Sequence, residues 1–194
     1  MRAMTLSKIV SLQTVDCPLQ LSELEKPVPR LGQLLLQVLT CGVCHTEIDI
    51  IEGRTPPPRL SIVPGHQVIG RVVELGEGVT RFQMGERVGV GWIYSSSGLA
   101  DENLSPKFCG TGRDVNGGYA EYMVVGQDYA YAIPSVFSDQ QAAPLLCAGA
   151  VGYRALRMTE LQDGQRLGLT GFGDSLMREG LISPVPEMRA NREN

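Results

Sequence analysis

At 194 residues the chain can bury one well-packed domain, or one domain and part of a second. Hydrophobic residues make up 43% and charged residues 20%, which fits ordinary globular composition and excludes a disordered polar chain. The net charge of -4 is spread along the sequence without a basic stripe, so neither nucleic acid nor a membrane is an expected partner.

Cys17, Cys41, Cys44, Cys109 and Cys147 form an odd set, too sparse for a disulfide scaffold. The first residues carry no apolar core of signal-peptide length, and no apolar run approaches the roughly 20 residues of a membrane span. The expectation is a reducing, cytoplasmic setting, in which cysteines serve as thiols or metal ligands.

In chain order, residues 4–26 are short mixed runs ending at Lys26-Pro-Val-Pro-Arg30, where the prolines force extended backbone. The apolar run Leu34 to Leu39 predicts a buried strand leading into Cys41-Gly-Val-Cys-His-Thr-Glu-Ile-Asp49. Ile48 and Ile51, followed by Gly53, predict one short helix ended by the glycine. Thr55 to Arg59, with three prolines between them, is a stiff connector. Val68 to Leu75 and Gly85 to Val90 predict strands, with a turn at Gly76-Glu-Gly78 between them. From Gly91 to Asn116 the pattern fades, which predicts a surface loop. Gly118 to Val125 and Tyr129 to Ile133 predict further strands, and many short strands punctuated by glycine suggest a barrel or sandwich. Ser138 followed by Gln141 matches a capping box, Ala148 to Leu156 predicts a helix, and Arg166 to Thr170 a strand entering Gly171-Phe-Gly173. Beyond, Met177 to Asn194 holds two prolines and no sustained apolar face, so an irregular tail is expected.

Chemistry concentrates in Cys41 to Asp49, which contains two cysteines and one of only two histidines; the other is His66. Thiolate and imidazole suit zinc, and three protein ligands leave a fourth position open to substrate. Cys147, in a glycine-bounded turn, is the best third ligand beside Cys44 and His66, although on spacing alone a lone cysteine is more often a small buried hydrophobe. Two rival readings of Cys41 and Cys44 are weaker. A redox dithiol needs a thioredoxin-like βαβ context, and a four-cysteine zinc site needs a second close pair. Cys41 reads better as a core residue at a strand end.

Cys41-Gly-Val-Cys-His-Thr-Glu, Pro64-Gly-His-Gln-Val-Ile-Gly, Gly117-Gly-Tyr-Ala-Glu-Tyr and Ala142-Ala-Pro-Leu-Leu-Cys-Ala-Gly149 together resemble, in order, the signatures of zinc-dependent alcohol dehydrogenases in the medium-chain dehydrogenase/reductase superfamily. The resemblance runs to about Ser175. It implies a mainly β, GroES-like barrel with a few helices as a catalytic domain over 1–158. Residues 159–175 would be the first strand and glycine turn of a Rossmann domain, and 176–194 an irregular remainder of a C-terminally truncated chain.

By position, the resemblance makes Cys44, His66 and Cys147 the ligands of one catalytic zinc. Thr46 would take the alcohol's proton, Glu47 would orient the liganding histidine, and Trp92 would line the substrate pocket. His45 would face the phosphates of NAD(P), with Gly171 and Gly173 at its pyrophosphate. The implied reaction oxidises a small alcohol to an aldehyde or ketone by hydride transfer to NAD(P).

Several positions depart from the family. Glu47 replaces a usual aspartate and Gln67 a usual glutamate. Asp49 stands at the outer end of the proton relay, where a histidine is common; it is a candidate acceptor, though a solvated carboxylate is a poor base at neutral pH. The loop Tyr94 to Ser105 has no cysteine, so no structural zinc is expected. Leu176 stands where the dinucleotide fingerprint needs a small residue. These departures predict a chain that binds zinc but is impaired or inactive in turnover. The alternative is a non-enzymatic zinc-binding GroES-like fragment or interaction module, with an exposed barrel edge that favours self-association.

Overall fold

The computed structural model describes residues 1–168. Gly171, Gly173 and the expected tail over 176–194 lie outside the described residues. The chain divides into two compact units, Met1–Leu146 and a second that begins at Cys147.

The first unit is built on antiparallel strands. β1 (Arg2–Thr5) pairs with β2 (Gln20–Glu23). β3 (Gln33–Gly42) leads into α1 (His45–Ile51), which is followed by β4 (Gln67–Leu75) and β5 (Arg87–Val90). Two short strands, β6 (Ile93–Ser95) and β7 (Cys109–Gly110), pair with each other inside the segment whose pattern predicted a plain loop. They are too short, and their register too irregular, to leave a period in the sequence. β8 (Tyr122–Gly126) and β9 (Ala130–Ala132) complete a five-stranded sheet in the order β8-β3-β4-β5-β9.

Both faces of the central strands are covered, which explains the unbroken leucine run in β3. Leu34 and Leu36 face a core with Val68, Val72, Val88, Val90, Met123 and Val125. On the opposite face, Ile69 packs with Ala142 and Ala143. Those alanines belong to α2 (Asp139–Ala142) and the 3-10 turn Ala143–Leu146 that follows it. The predicted capping box holds: Gln141 N donates to Ser138 Oγ at 3.3 Å and Ser138 N donates to Gln141 Oε1 at 3.0 Å. Register shifts between Leu35 and Leu36 and between Val38 and Thr40 bulge β3 against β4, the kind of irregularity that bends a strand.

α1 is short because Gly53, at φ 76°, terminates it as expected. Its buried residues are Glu47, Ile50 and Ile51, rather than the pair Ile48 and Ile51. The isoleucines pack with Leu6 and Ile62 in a second core. A carboxylate occupies the inward position, so an apolar period could not mark that face.

The second unit opens with α3 (Ala148–Met158), as predicted for 148–156. Arg166 to Gly168, the first part of the expected Rossmann strand, are in no regular element, and the rest of that strand lies outside the described residues. No helix of the described residues is long and apolar enough to cross a membrane.

Candidate metal centre

β3 delivers the chain to Cys44, whose extended backbone (φ -125°, ψ 160°) makes it the N-cap of α1. The Cys44 N–H donates to Glu47 Oε2 at 2.7 Å, the reciprocal half of a capping box. The other carboxylate oxygen, Oε1, lies 2.6 Å from His66 Nδ1. Both partners are buried, with side chains 3% and 1% exposed. A carboxylate removed from water is strongly destabilising unless paired, and here both of its oxygens are occupied by donors.

His66 is fixed from the backbone side as well. Gly117 N donates to Val63 O at 2.7 Å, Tyr119 N to Pro64 O at 3.0 Å and Gly118 N to Gly65 O at 2.9 Å. Gly65 has φ 99°, and a Cβ there would lie 2.7 Å from Tyr119 Cδ1 and 2.8 Å from Cys41 Sγ. Glycine is therefore required immediately before the histidine. Burial lowers the tendency of the imidazole to hold a proton. Hydrogen bonding to Cys44 and Glu47, with the charges of both, outweighs it and raises the pKa to about 9. With Glu47 accepting at Nδ1, the lone pair of the neutral ring is left on Nε2.

The Cys44 thiol lies 3.6 Å from the Thr46 hydroxyl, within reach of a sulfur hydrogen bond. The Trp92 ring meets the His66 ring edge-on, with centroids 5.2 Å apart and planes at 74°. Cys147 follows Leu146 directly and is the N-cap of α3. Leu146 itself is packed in the first unit, where its carbonyl oxygen would stand 2.8 Å from a Cβ on Gly91, beside Trp92. Cys44 and His66 come together within the first unit, and the second unit opens on the third candidate donor, Cys147. Two thiolates and one imidazole are a donor set suited to zinc.

His45 is placed differently: its side chain is 76% exposed, and its Nε2 lies 3.7 Å from Asp49 Oδ1. Asp49 Oδ1 also accepts from Arg54 Nε at 2.6 Å, and Arg54 pairs with Glu52 in addition. Cys41, at the end of β3, packs against the main core as expected. Burial pushes its thiol pKa up to about 12, with the charge of Glu47 adding and the Gln67 backbone opposing. Sequence reasoning gave no role to the Tyr119 hydroxyl, which is buried with no hydrogen-bond partner. It also passed over Arg113 and Asp114, which adjoin Trp92; adjacent residues of opposite charge carry no periodic signal.

Residues 30–135 match the family model described as the alcohol dehydrogenase GroES-like domain. A probable alcohol dehydrogenase of Mycobacterium tuberculosis is 43% identical, over 81% of this chain and 49% of its own length. Among solved structures, a cinnamyl alcohol dehydrogenase of Sorghum bicolor superposes with TM-score 0.79 at 28% identity, covering 92% of this chain and 53% of that one. A cobalt- and zinc-bound thermostable alcohol dehydrogenase of Pyrobaculum aerophilum gives TM-score 0.74 at 26% identity, covering 85% and 50%. The chain spans about half the length of the curated relatives it matches, 49% in the case of the Mycobacterium protein.

Proposed function

This chain belongs to the alcohol dehydrogenase GroES-like domain family, and on that premise we propose that it forms the metal- and alcohol-binding side of a zinc-dependent, NAD(P)-linked alcohol dehydrogenase. The observation that carries the reading is the buried His66–Glu47 pair at 2.6 Å. A histidine oriented by a carboxylate through Nδ1 presents Nε2 as a ligand, and its basicity is enhanced.

In this reading Cys44, His66 and Cys147 hold one zinc. Bound there, zinc supplies Lewis acidity that lowers the pKa of an alcohol. The remaining work falls to the protein. Glu47 keeps the His66 ring in one tautomer and orientation. The Thr46 hydroxyl, two residues beyond Cys44, accepts the alcohol's proton, and Trp92 forms an apolar wall against water. His45 stands at the exposed side, where an imidazole can meet the phosphates of NAD(P). Asp49, 3.7 Å from His45, is the outer proton acceptor. The same Asp49 oxygen is held by Arg54 Nε at 2.6 Å. Gly171 and Gly173 would meet the cofactor's pyrophosphate. The substrate class is a small alcohol or its aldehyde.

A second reading, a zinc-binding module without turnover, is favoured by one observation. The chain spans only 49% of the length of the Mycobacterium relative. The 194 residues alone are accordingly expected to bind zinc and to oxidise alcohols slowly or not at all. Metal analysis of the purified protein tests the site: about one zinc per chain is expected, lost in Cys44→Ser and in His66→Ala. Wild-type protein without zinc would refute the metal centre. Sustained NAD(P)H formation from a primary alcohol would eliminate the second reading.

A further inference from the structure

Trp92 is held on more than one side. Besides its contact with His66, the indole has Phe108 at 5.8 Å, tilted by 41°. Arg113 lies over both rings, its Cζ 5.5 Å from each centroid. The guanidinium is itself locked: Nε and Nη2 donate to Asp114 Oδ1 and Oδ2 at 3.0 and 2.7 Å. Asp114 Oδ2 also accepts from Gly110 N at 2.6 Å, which ties the carboxylate to β7. A Cβ on Gly110 would sit 3.3 Å from both Asp114 Oδ2 and the indole carbons Cη2 and Cζ2, so backbone, carboxylate and indole meet closely there. Thr111 N donates to Trp92 O at 2.9 Å and fixes the main chain beneath the ring.

An exposed ion pair between flexible side chains contributes little. This pair differs, because its side chains are only 27% and 19% exposed and the planar fork is engaged through two parallel bonds. Asp114 neutralises the guanidinium, so the pair brings no net charge toward Cys44 and His66. What it can supply is position: a flat cation, held in one orientation, against two aromatic faces.

We propose that Arg113 and Asp114 are positioning residues, a bidentate clamp that fixes the Trp92 indole against His66 and thereby sets the aromatic wall of the alcohol site. The alcohol-site part of this rests on the function proposed above; the clamp itself does not. Arg113→Met keeps the packing volume and removes the fork. Asp114→Asn removes the anion at constant shape. Trp92 is the single tryptophan of the chain, so its fluorescence reports on the ring directly.

Acrylamide quenching and near-ultraviolet circular dichroism are measured on the full chain and both variants, with zinc content determined on the same samples. Each variant is expected to raise the quenching constant at least about twofold and to lose about half of the tryptophan dichroism. Arg113→Lys, which keeps the charge but not the fork, is expected to resemble Arg113→Met. Wild-type quenching and dichroism in both variants would overturn the clamp, as would full rescue by Arg113→Lys. Should Arg113→Met fail to fold, Asp114→Asn carries the same test. If wild-type protein lacks zinc while the variants still loosen Trp92, the metal reading fails and the clamp stands. If every sample holds zinc and the Trp92 signals are unchanged, the metal reading stands and the clamp fails.

Discussion

Replacing Glu47 by glutamine isolates the orienting role of a single oxygen pair. In the wild type, Oε2 accepts the Cys44 N–H at 2.7 Å and Oε1 faces His66 Nδ1 at 2.6 Å. An amide of the same shape can accept on one side only, so its NH2 must meet one of the two N–H groups as a second donor. One charge-assisted hydrogen bond is lost and one buried donor is left unsatisfied, with the side chain only 3% exposed and water unable to substitute. Such a loss costs about 1.5–3 kcal/mol. Outer partners of metal-bound histidines typically govern metal affinity by about 10–100-fold, or about 1.4–2.8 kcal/mol, and the two magnitudes agree. Zinc affinity is measured by competition with a chromophoric chelator, and stability by urea unfolding in the presence of a strong chelator. Glu47→Gln is expected to weaken zinc about 10–100-fold and to lower stability by about 1.5–3 kcal/mol. Zinc affinity within about twofold of wild type would refute the argument that the carboxylate orients His66 as a ligand.

Cys41 offers a prediction with a pH signature. Its thiol is raised to about 12, chiefly by burial, so at pH near 8 about one molecule in 10⁴ carries the thiolate, against about one in 10 for a thiol at the ordinary value of 9.0. Alkylation by iodoacetamide followed by peptide mapping should find Cys41 modified about 10³-fold more slowly than an ordinary exposed thiol; comparable rates would contradict its burial. The sign for stability follows from the same shift. The folded pKa lies above the unfolded value, so this contribution is intact below pH 9 and is lost as pH rises from there through about 12. Gly117→Ala tests the lacing behind His66, because the added Cβ would fall 2.1 Å from Gly65 O and 2.8 Å from Gly112 Cα. Main chain cannot step aside cheaply, and a loss of about 3 kcal/mol is expected in urea unfolding. A loss under about 0.5 kcal/mol would mean that the 63–65 and 117–119 segments are not held as described.

Much of this protein is legible in one dimension because its signals are local. The leucine run of β3, the glycine that ends α1 at Gly53 and the Ser138–Gln141 cap each depend on residues within a few positions of one another, so propensity and period suffice to find them. Cys44, His66 and Cys147 are marked as candidate ligands in another way, through motifs whose residue types match a borderline-soft metal. What the sequence by itself could not decide is which side chains turn inward and meet. Glu47 sits where an apolar period expects an isoleucine, and its burial is tolerable only because His66, 19 residues away, and the Cys44 N–H fill both of its oxygens. β6 and β7 exist because distant backbone groups find each other, with no alternation to announce them. Arg113 gains meaning only when β7 brings it over Trp92, 21 positions earlier in the chain. Residue chemistry and local backbone preference are written along the chain. Desolvation, which turns a carboxylate into an orienting partner and an arginine into a clamp, exists only once the strands have closed around them.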